Sequence, residues 1–232
     1  MLKKKEKKAW VNYHKKLIRS NNYPRYPSEV YLKILFGTYF KKVKFTNKKN
    51  FKILDVGCGF GNNLIPFLEN KQKSYGVEID KEICAITKKI LAKKFSKNIF
   101  DIKEGHNRNL PFRSNYFDLV MTNTLHYEEN FKNIDLALKE YCRVLKEKKY
   151  LLIQTTGNKH NFFKTTKRLK KNIFKIKDKE DKTRYGKNFF FFENEQNFKK
   201  ILGNYFSKIE FARETTVLGE YTYDIFLAIC IK

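Results

Sequence analysis

Proline is scarce in this 232-residue chain, at four, and glycine reaches only ten, so proline-rich linkers and glycine-rich low-complexity segments are excluded. Cysteine is scarce too: Cys58, Cys84, Cys142 and Cys230 form no CxxC pair and have no histidine at metal spacing, so they read as small core residues and no metal is expected. Long apolar runs are missing, and none approaches the roughly 20 residues that a membrane-spanning helix needs. The opening MLKKKEKKAW begins with charge as a secretory leader does, but no apolar stretch follows, so a cytoplasmic location is the expectation. Acidic residues are few, 24 against 50 Lys and Arg, for a net charge of +26.

What is present argues for a folded domain. Hydrophobic residues make up 41% and aromatics 16%, enough for the core of one α/β domain at this length. The positive charge is uneven: residues 1–52 hold sixteen basic against two acidic residues, and residues 158–187 twelve against three. One reading is lysine loaded onto tolerant surface by an AT-rich genome; the other is a basic rim that attracts an acidic substrate, nucleic acid or a membrane surface.

The spacing predicts a helix over 3–18 with Trp10, Tyr13 and Leu17 on one face, and a second from Ser28 to about Tyr39. From Phe51 short apolar runs alternate with amphipathic stretches, the pattern of parallel βαβ units. Strands are expected at 51–56, 74–78, 99–103, 116–122 and 150–155, with helices at 62–70, 81–95 and 130–147. Ile83, Ile86 and Ile90 face the core from the second of these helices; Ile134, Leu138, Tyr141 and Leu145 do so from the third. A basic insertion over 157–187 precedes a short helix at 194–202 and strands at 208–214 and 223–231.

The densest signal is Ile53-Leu54-Asp55-Val56-Gly57-Cys58-Gly59-Phe60-Gly61, a buried strand running into a GxGxG turn. Glycines there let backbone approach a ligand, and a helix starting near Asn62 offers free N–H groups to an anion. The spacing differs from the GxGxxG of dinucleotide-binding turns. Further on come Tyr75-Gly76-Val77-Glu78-Ile79-Asp80, Gly105-His106-Asn107-Arg108-Asn109-Leu110-Pro111-Phe112, Phe117-Asp118-Leu119-Val120 and Arg143-Val144-Leu145-Lys146.

In this order the motifs resemble those of the class I S-adenosylmethionine (SAM) dependent methyltransferases over roughly residues 51–156. The resemblance implies a Rossmann-like, doubly wound α/β sheet of seven strands, mostly parallel with an antiparallel last strand. It divides the chain into an N-terminal helical extension (1–50), a SAM-binding core (51–156), a basic insertion or lid (157–187) and a C-terminal helix with strands (188–232), all one domain. It implies SAM as cofactor and S-adenosylhomocysteine as product, held by Asp55, Gly57, Gly59, Gly61, Glu78, Ile79, His106, Asn107 and Asn123. Glu78, ending the second strand, is expected to accept both ribose hydroxyls; Asp80 suits a helix N-cap better. Asp55 is expected to accept loop N–H bonds. His106 stands where the family has an acid, which leaves the adenine contact to His106, Asn107 or backbone. Lys146-Glu147-Lys148-Lys149 replaces the usual Pro-Gly-Gly.

Asn123-Thr124-Leu125-His126-Tyr127, after the fourth strand, lacks the Asn/Asp-Pro-Pro-aromatic pattern of base N-methyltransferases. His126 is either a general base or a packed wall of the acceptor pocket. His160 is a weaker base candidate, His14 reads as a surface residue, and Tyr23, Tyr26 and Tyr127 read as pocket walls or core aromatics. Tyr26, Tyr127, His160 and Lys164 are the candidate acceptor contacts. The leading expectation is O-methylation of a small or sugar-containing, anionic acceptor, with surface polysaccharide as a guess from Tyr26-Pro27-Ser28-Glu29 and Lys159 to Lys164. An RNA methyltransferase and a non-catalytic SAM-binding protein are the alternatives, and peripheral membrane contact is left open.

Overall fold

The computed structural model describes residues 4–37, 50–97, 99–181 and 183–232. Backbone contacts divide the chain into two compact units: one runs to His106 and includes Phe117–Leu119, and the other comprises Asn107–Tyr116 and Val120–Lys232.

The first unit opens with helices α1 (Lys4–Arg19) and α2 (Glu29–Phe36). The rest of the second predicted helix, toward Tyr39, lies outside the described residues. On α1 the buried face is Val11 and His14, while Tyr13 is 41% exposed, so the face is rotated by about one residue from the expected Trp10, Tyr13 and Leu17. Trp10 meets Tyr13 edge to face at 5.9 Å between ring centres. Strands β1 (Lys52–Val56), β2 (Lys73–Glu78) and β3 (Phe100–Glu104) pair in parallel, Ile53 beside Ser74 and Tyr75 beside Asp101. The helix expected over 62–70 is a 3-10 turn, Asn62–Leu64, followed by α3 (Ile65–Glu69), because Pro66 sits in its first turn. Helix α4 (Lys81–Leu91) buries Ile83, Cys84, Thr87 and Leu91; Ile86 and Ile90 lie at the edge of that face.

In the second unit, α5 (Phe131–Val144) buries Ile134, Leu138 and Tyr141 as the 3.6-residue spacing predicts. It runs straight into β5 (Leu145–Thr156), which takes in Leu145, Lys146 and Glu147, expected as the end of the helix; Lys148 turns the chain at φ 58°. The basic insertion is not a plain loop. After a 3-10 turn at Asn161–Thr165, strands β6 (Thr166–Lys170), β7 (Ile173–Ile176) and β8 (Asn188–Phe190) form an antiparallel three-stranded sheet. Helix α6 (Glu195–Leu202) and the long antiparallel pair β9 (Lys208–Leu218) and β10 (Tyr221–Ile231) complete the chain.

With β4 (Phe117–Thr122), the main sheet has seven strands in the order β3-β2-β1-β4-β5-β10-β9, and β10 runs antiparallel to both its neighbours. This is the Rossmann-like methyltransferase fold. Two of its sequence motifs act as braces. Asp118 accepts the N–H of Lys52 at 3.1 Å and fixes the start of β1. Arg143 donates to the carbonyls of Phe112 at 2.7 Å and Leu110 at 3.0 Å while pairing with Glu140 at 2.6 Å, so the Leu-Pro-Phe and Arg-Val-Leu motifs form one clamp.

Candidate cofactor and acceptor sites

In the first unit the chain leaves β1 through Gly57, Gly59 and Gly61, with φ of 76°, 54° and 80°, a left-handed path that side chains strain. The N–H groups of Gly57 and Cys58 both donate to the carbonyl of Val77, at 2.9 and 3.1 Å. Glu78 is the second anchor: its Oε1 accepts the N–H of Gly59 at 2.7 Å and its Oε2 that of Ile79 at 3.1 Å. Thr87 of α4 donates its hydroxyl to the carbonyl of Gly59 at 2.5 Å. The loop is thus held by β2 and α4 in a shape that turns backbone, not side chain, to one side; a Cβ added at Gly59 would meet nothing within 4 Å.

Asp55 and Glu78 are 1% and 7% exposed. Burial pushes the Asp55 carboxyl up to about 7, opposed by a hydrogen bond from Asn63 and reinforced by the charge of Glu78. Its Oδ2 is buried with no partner among the described residues. The carboxylate that accepts loop N–H groups is therefore Glu78 rather than Asp55, because the turn brings Gly59 over the end of β2. Burial also raises Glu78, while the charge of His14 and the amides of Gly59 and Ile79 pull it back. Asp80 caps α4, accepting from the N–H of Glu82 at 2.8 Å. His14, read from sequence as a surface residue, is 7% exposed, with its ring 5.0 Å from that of Phe60 in the glycine loop.

A left-handed glycine loop, a self-bonded Glu78 and an orphaned buried Asp55 oxygen fit a cationic ligand rich in hydroxyl and ammonium donors, which is the chemistry of SAM. Asn107 donates its side-chain N–H groups to Thr124 O at 3.3 Å and Glu128 Oε1 at 3.2 Å, and its Oδ1 accepts from the Thr124 hydroxyl at 3.1 Å, so its amide is a strut inside the second unit. Asn123, just after β4, is exposed. His106 is half-buried after Gly105, whose N–H donates to Glu78 O at 2.8 Å. Glu128, which sequence reasoning missed, is 2% exposed and pairs with Arg108 Nε at 3.1 Å; burial lifts it to about 7 against Arg108 and Asn107.

The second unit gathers a separate aromatic site. The ring of His126 lies 4.2 Å from Tyr127 and nearly parallel to Phe191 at 6.4 Å, and Phe162 closes on Phe191 at 5.5 Å. His160 stands 5.2 Å from Tyr223, whose hydroxyl accepts from Gln154 Nε2 at 3.5 Å. The Arg184 guanidinium lies 5.0 Å over the Phe162 ring and pairs with Asp181. His126 Nδ1 is buried without a partner among the described residues, and burial, with the charges of Arg184 and His160, drives its pKa down to about 3. The neutral ring is in the proton-accepting form, but at this pKa it holds a proton weakly. His160 is lowered too, by burial first, against the charge of Asp224. Its Nδ1 accepts the N–H of Phe162 at 2.9 Å, which leaves the proton of the neutral ring on Nε2. Lys164 is exposed, and Tyr26 is 84% exposed instead of walling a pocket, since the Pro24–Pro27 turn carries it outward.

Comparison with known proteins follows this geometry. The methyltransferase domain family matches residues 54–153, which resemble that domain over less than half of the chain. The chain is 29% identical over 104 residues to the uncharacterized methyltransferase YcgJ of Bacillus subtilis and 34% identical over 113 residues to the uncharacterized protein MJ0638 of Methanocaldococcus jannaschii. These alignments cover 44% and 47% of this chain and only 40% and 43% of those proteins, so the chain spans less than half the length of the curated relatives it matches. Among solved structures it is similar in fold to a SAM-dependent methyltransferase from Methanosarcina mazei (TM-score 0.63, 19% identity, 80% of this chain and 93% of that one). The PH0226 protein of Pyrococcus horikoshii gives TM-score 0.63 at 20% identity over 91% and 97%.

Proposed function

We propose that the chain is a SAM-dependent methyltransferase, acting as one domain with its extension and insertion, that methylates an oxygen of a small or sugar-containing, negatively charged acceptor. The observation that carries this reading is the pair of buried carboxylates under a left-handed glycine loop, one of them with an unpartnered oxygen. Bound there, SAM would supply a methyl group already activated by its sulfonium. Gly57, Gly59 and Gly61 would admit its backbone-like end, Glu78 would grip the ribose, and Asp55 would take a ligand donor.

On the acceptor side, the rings of His126, Tyr127, Phe162 and Phe191 exclude water and support an apolar or sugar face. The Nε2–H of His160 and the hydroxyl of Tyr223 present donors, and Arg184 and Lys164 favour negative charge. With the pKa of His126 lowered to about 3 and the proton of neutral His160 on its outer nitrogen, both histidines are weak proton acceptors for a hydroxyl. The acceptor oxygen this suits is one that is already ionised, as in a carboxylate or phosphate, or one that loses its proton to water.

The test is incubation with SAM carrying a labelled methyl group and separate pools of nucleotide sugars, phosphorylated glycans, carboxylic acids and RNA, followed by mass spectrometry. Label in an anionic small molecule supports the proposal. Label confined to RNA would replace it with nucleic-acid methylation, and S-adenosylhomocysteine failing to bind folded protein would remove its basis.

A further inference from the structure

Residues 159–161 are strapped to the start of β10. The Lys159 N–H donates to Asp224 Oδ2 at 2.8 Å, the Thr222 N–H donates to Asn161 Oδ1 at 3.1 Å, and Asn161 Nδ2 donates to the carbonyl of Glu220 at 3.3 Å. His160 lies between these anchors, and its Nδ1 accepts the N–H of Phe162. Its ring is thereby fixed among three others, with centres 5.2 Å away at Tyr223, 5.8 Å at Tyr221 and 6.4 Å at Phe162. The Nε2–H of His160 has no partner among the described residues.

Next to Tyr223 stands Gln154 of β5. It follows the fully buried Leu151, Leu152 and Ile153 and is itself only 8% exposed. Its Nε2 reaches the Tyr223 hydroxyl oxygen at 3.5 Å, which is long for a hydrogen bond, and its Oε1 is buried with no partner among the described residues. Burying an amide oxygen unpaired costs stability, and a leucine or valine at this strand position would carry no such cost. Tyr223 is 38% exposed, so the pair runs from the interior to the surface.

What the pair lacks has the pattern of one hydroxyl group. The Tyr223 oxygen accepts from Gln154, which leaves its O–H to donate, while Gln154 Oε1 is left to accept. A ligand hydroxyl takes the first proton and gives its own to the second; a carboxylate or an ionised phosphate can do only the former. The His160 Nε2–H offers a further donor to a neighbouring oxygen, and the rings of Tyr221 and Phe162 offer faces to C–H groups. Hydroxyls set on a ring of C–H groups are the chemistry of a sugar.

We propose that Gln154 is a specificity-determining residue that selects a sugar acceptor by one ring hydroxyl, held jointly with Tyr223. This rests on the acceptor-site reading and narrows it: the site takes a hydroxylated ring in preference to an apolar anion of the same size.

The experiment measures binding to the full chain, loaded with S-adenosylhomocysteine, by saturation-transfer NMR titration. The probes are glucuronate and glucose 6-phosphate, each against its hydroxyl-free ring analogue, cyclohexanecarboxylate and cyclohexylmethyl phosphate. At least one sugar should bind about 10-fold or more tighter than its analogue, since a site built to hydrogen-bond a hydroxyl rejects the ligand without it. Gln154→Leu should remove most of that preference by weakening the sugar and not the analogue. Tyr223→Phe should do the same, and the double variant should lose little more than either single one, because the two residues hold one group. Sugars that bind no better than their analogues, a preference that survives Gln154→Leu, or equal weakening of sugar and analogue would each overturn the proposal. Circular dichroism checks the fold of each variant, and should Gln154→Leu fail to fold, Tyr223→Phe carries the test. Binding is read without turnover, so the two readings fail separately. A Gln154-dependent sugar preference with methyl label confined to RNA would keep sugar recognition and overturn the acceptor reading. Methyl transfer to an anion without hydroxyls, with no sugar preference, would keep the acceptor reading and overturn the role of Gln154.

Discussion

At the residue scale, the two cradle carboxylates govern how the free protein responds to pH. Asp55 has its folded pKa raised to about 7 by burial, so the folded state holds a proton that the unfolded chain gives up near pH 4. Its stability contribution is full below about pH 4 and is lost as pH rises through about 7. Asp55→Asn should therefore stabilise ligand-free protein at pH 8 by on the order of 2–4 kcal/mol, read as a higher melting temperature, and leave it nearly unchanged at pH 4. A cationic ligand beside Asp55 favours ionisation, so SAM binding at pH 6–7 should release protons. Calorimetry in two buffers of different ionisation enthalpy measures the release, and Asp55→Asn should shrink it. Glu78→Ala should cost on the order of 1.5–3 kcal/mol of SAM affinity, the range for hydrogen bonds to charged groups. Asp80→Ala should instead cost about 1 kcal/mol of stability through the lost cap of α4, with little effect on affinity. Asp80 was legible in sequence because a helix start assigns it the cap. His14 and Glu128 were not, since each meets its partners only once distant segments are folded together.

At the scale of elements, the insertion is fastened at its root by Asp224. This fully buried carboxylate on β10 accepts from Arg213 Nε at 2.7 Å and Nη2 at 2.8 Å, from the Thr215 hydroxyl at 2.7 Å and from the Lys159 N–H at 2.8 Å. Gly157 is required beside it, because a Cβ there would collide with the Asp224 carboxylate. Burial would raise Asp224, but Arg213, Thr215 and Lys159 hold it below its ordinary value, so its contribution is present above about pH 4 and lost as the medium becomes more acid. Asp224→Asn should lower the melting temperature and raise amide exchange over 157–165 more than in β1 or β4. If the insertion meets an anionic acceptor, neutralising Lys159, Lys164 and Lys167 together should raise the acceptor KM, leave S-adenosylhomocysteine affinity unchanged and flatten the salt dependence of turnover. Unchanged kinetics would assign the lysines to composition. Sequence periodicity could not expose the small sheet here: lysines occupy both faces of β6, an edge strand exposed along most of its length, and erase the alternation that marks a half-buried strand.

For the whole molecule, a net charge of +26 makes self-repulsion a general term, so added salt should stabilise the fold. The melting temperature should rise by several degrees between low and moderate NaCl, and a fall would mean that specific ion pairs outweigh repulsion. The seven-stranded architecture was readable because its motifs are physical braces: Asp118 ties β1, and Arg143 clamps the Leu110 to Phe112 segment. The proposed acceptor site was not readable, since its aromatic side chains run from His126 to Tyr223 with no short motif among them. Among the described residues, no helix is long and apolar enough to cross a membrane. Trp10, edge to face with Tyr13 on α1, is the chain's one tryptophan. The protein therefore carries a built-in optical probe, and excitation at the indole band reports on the N-terminal helix alone, without any label.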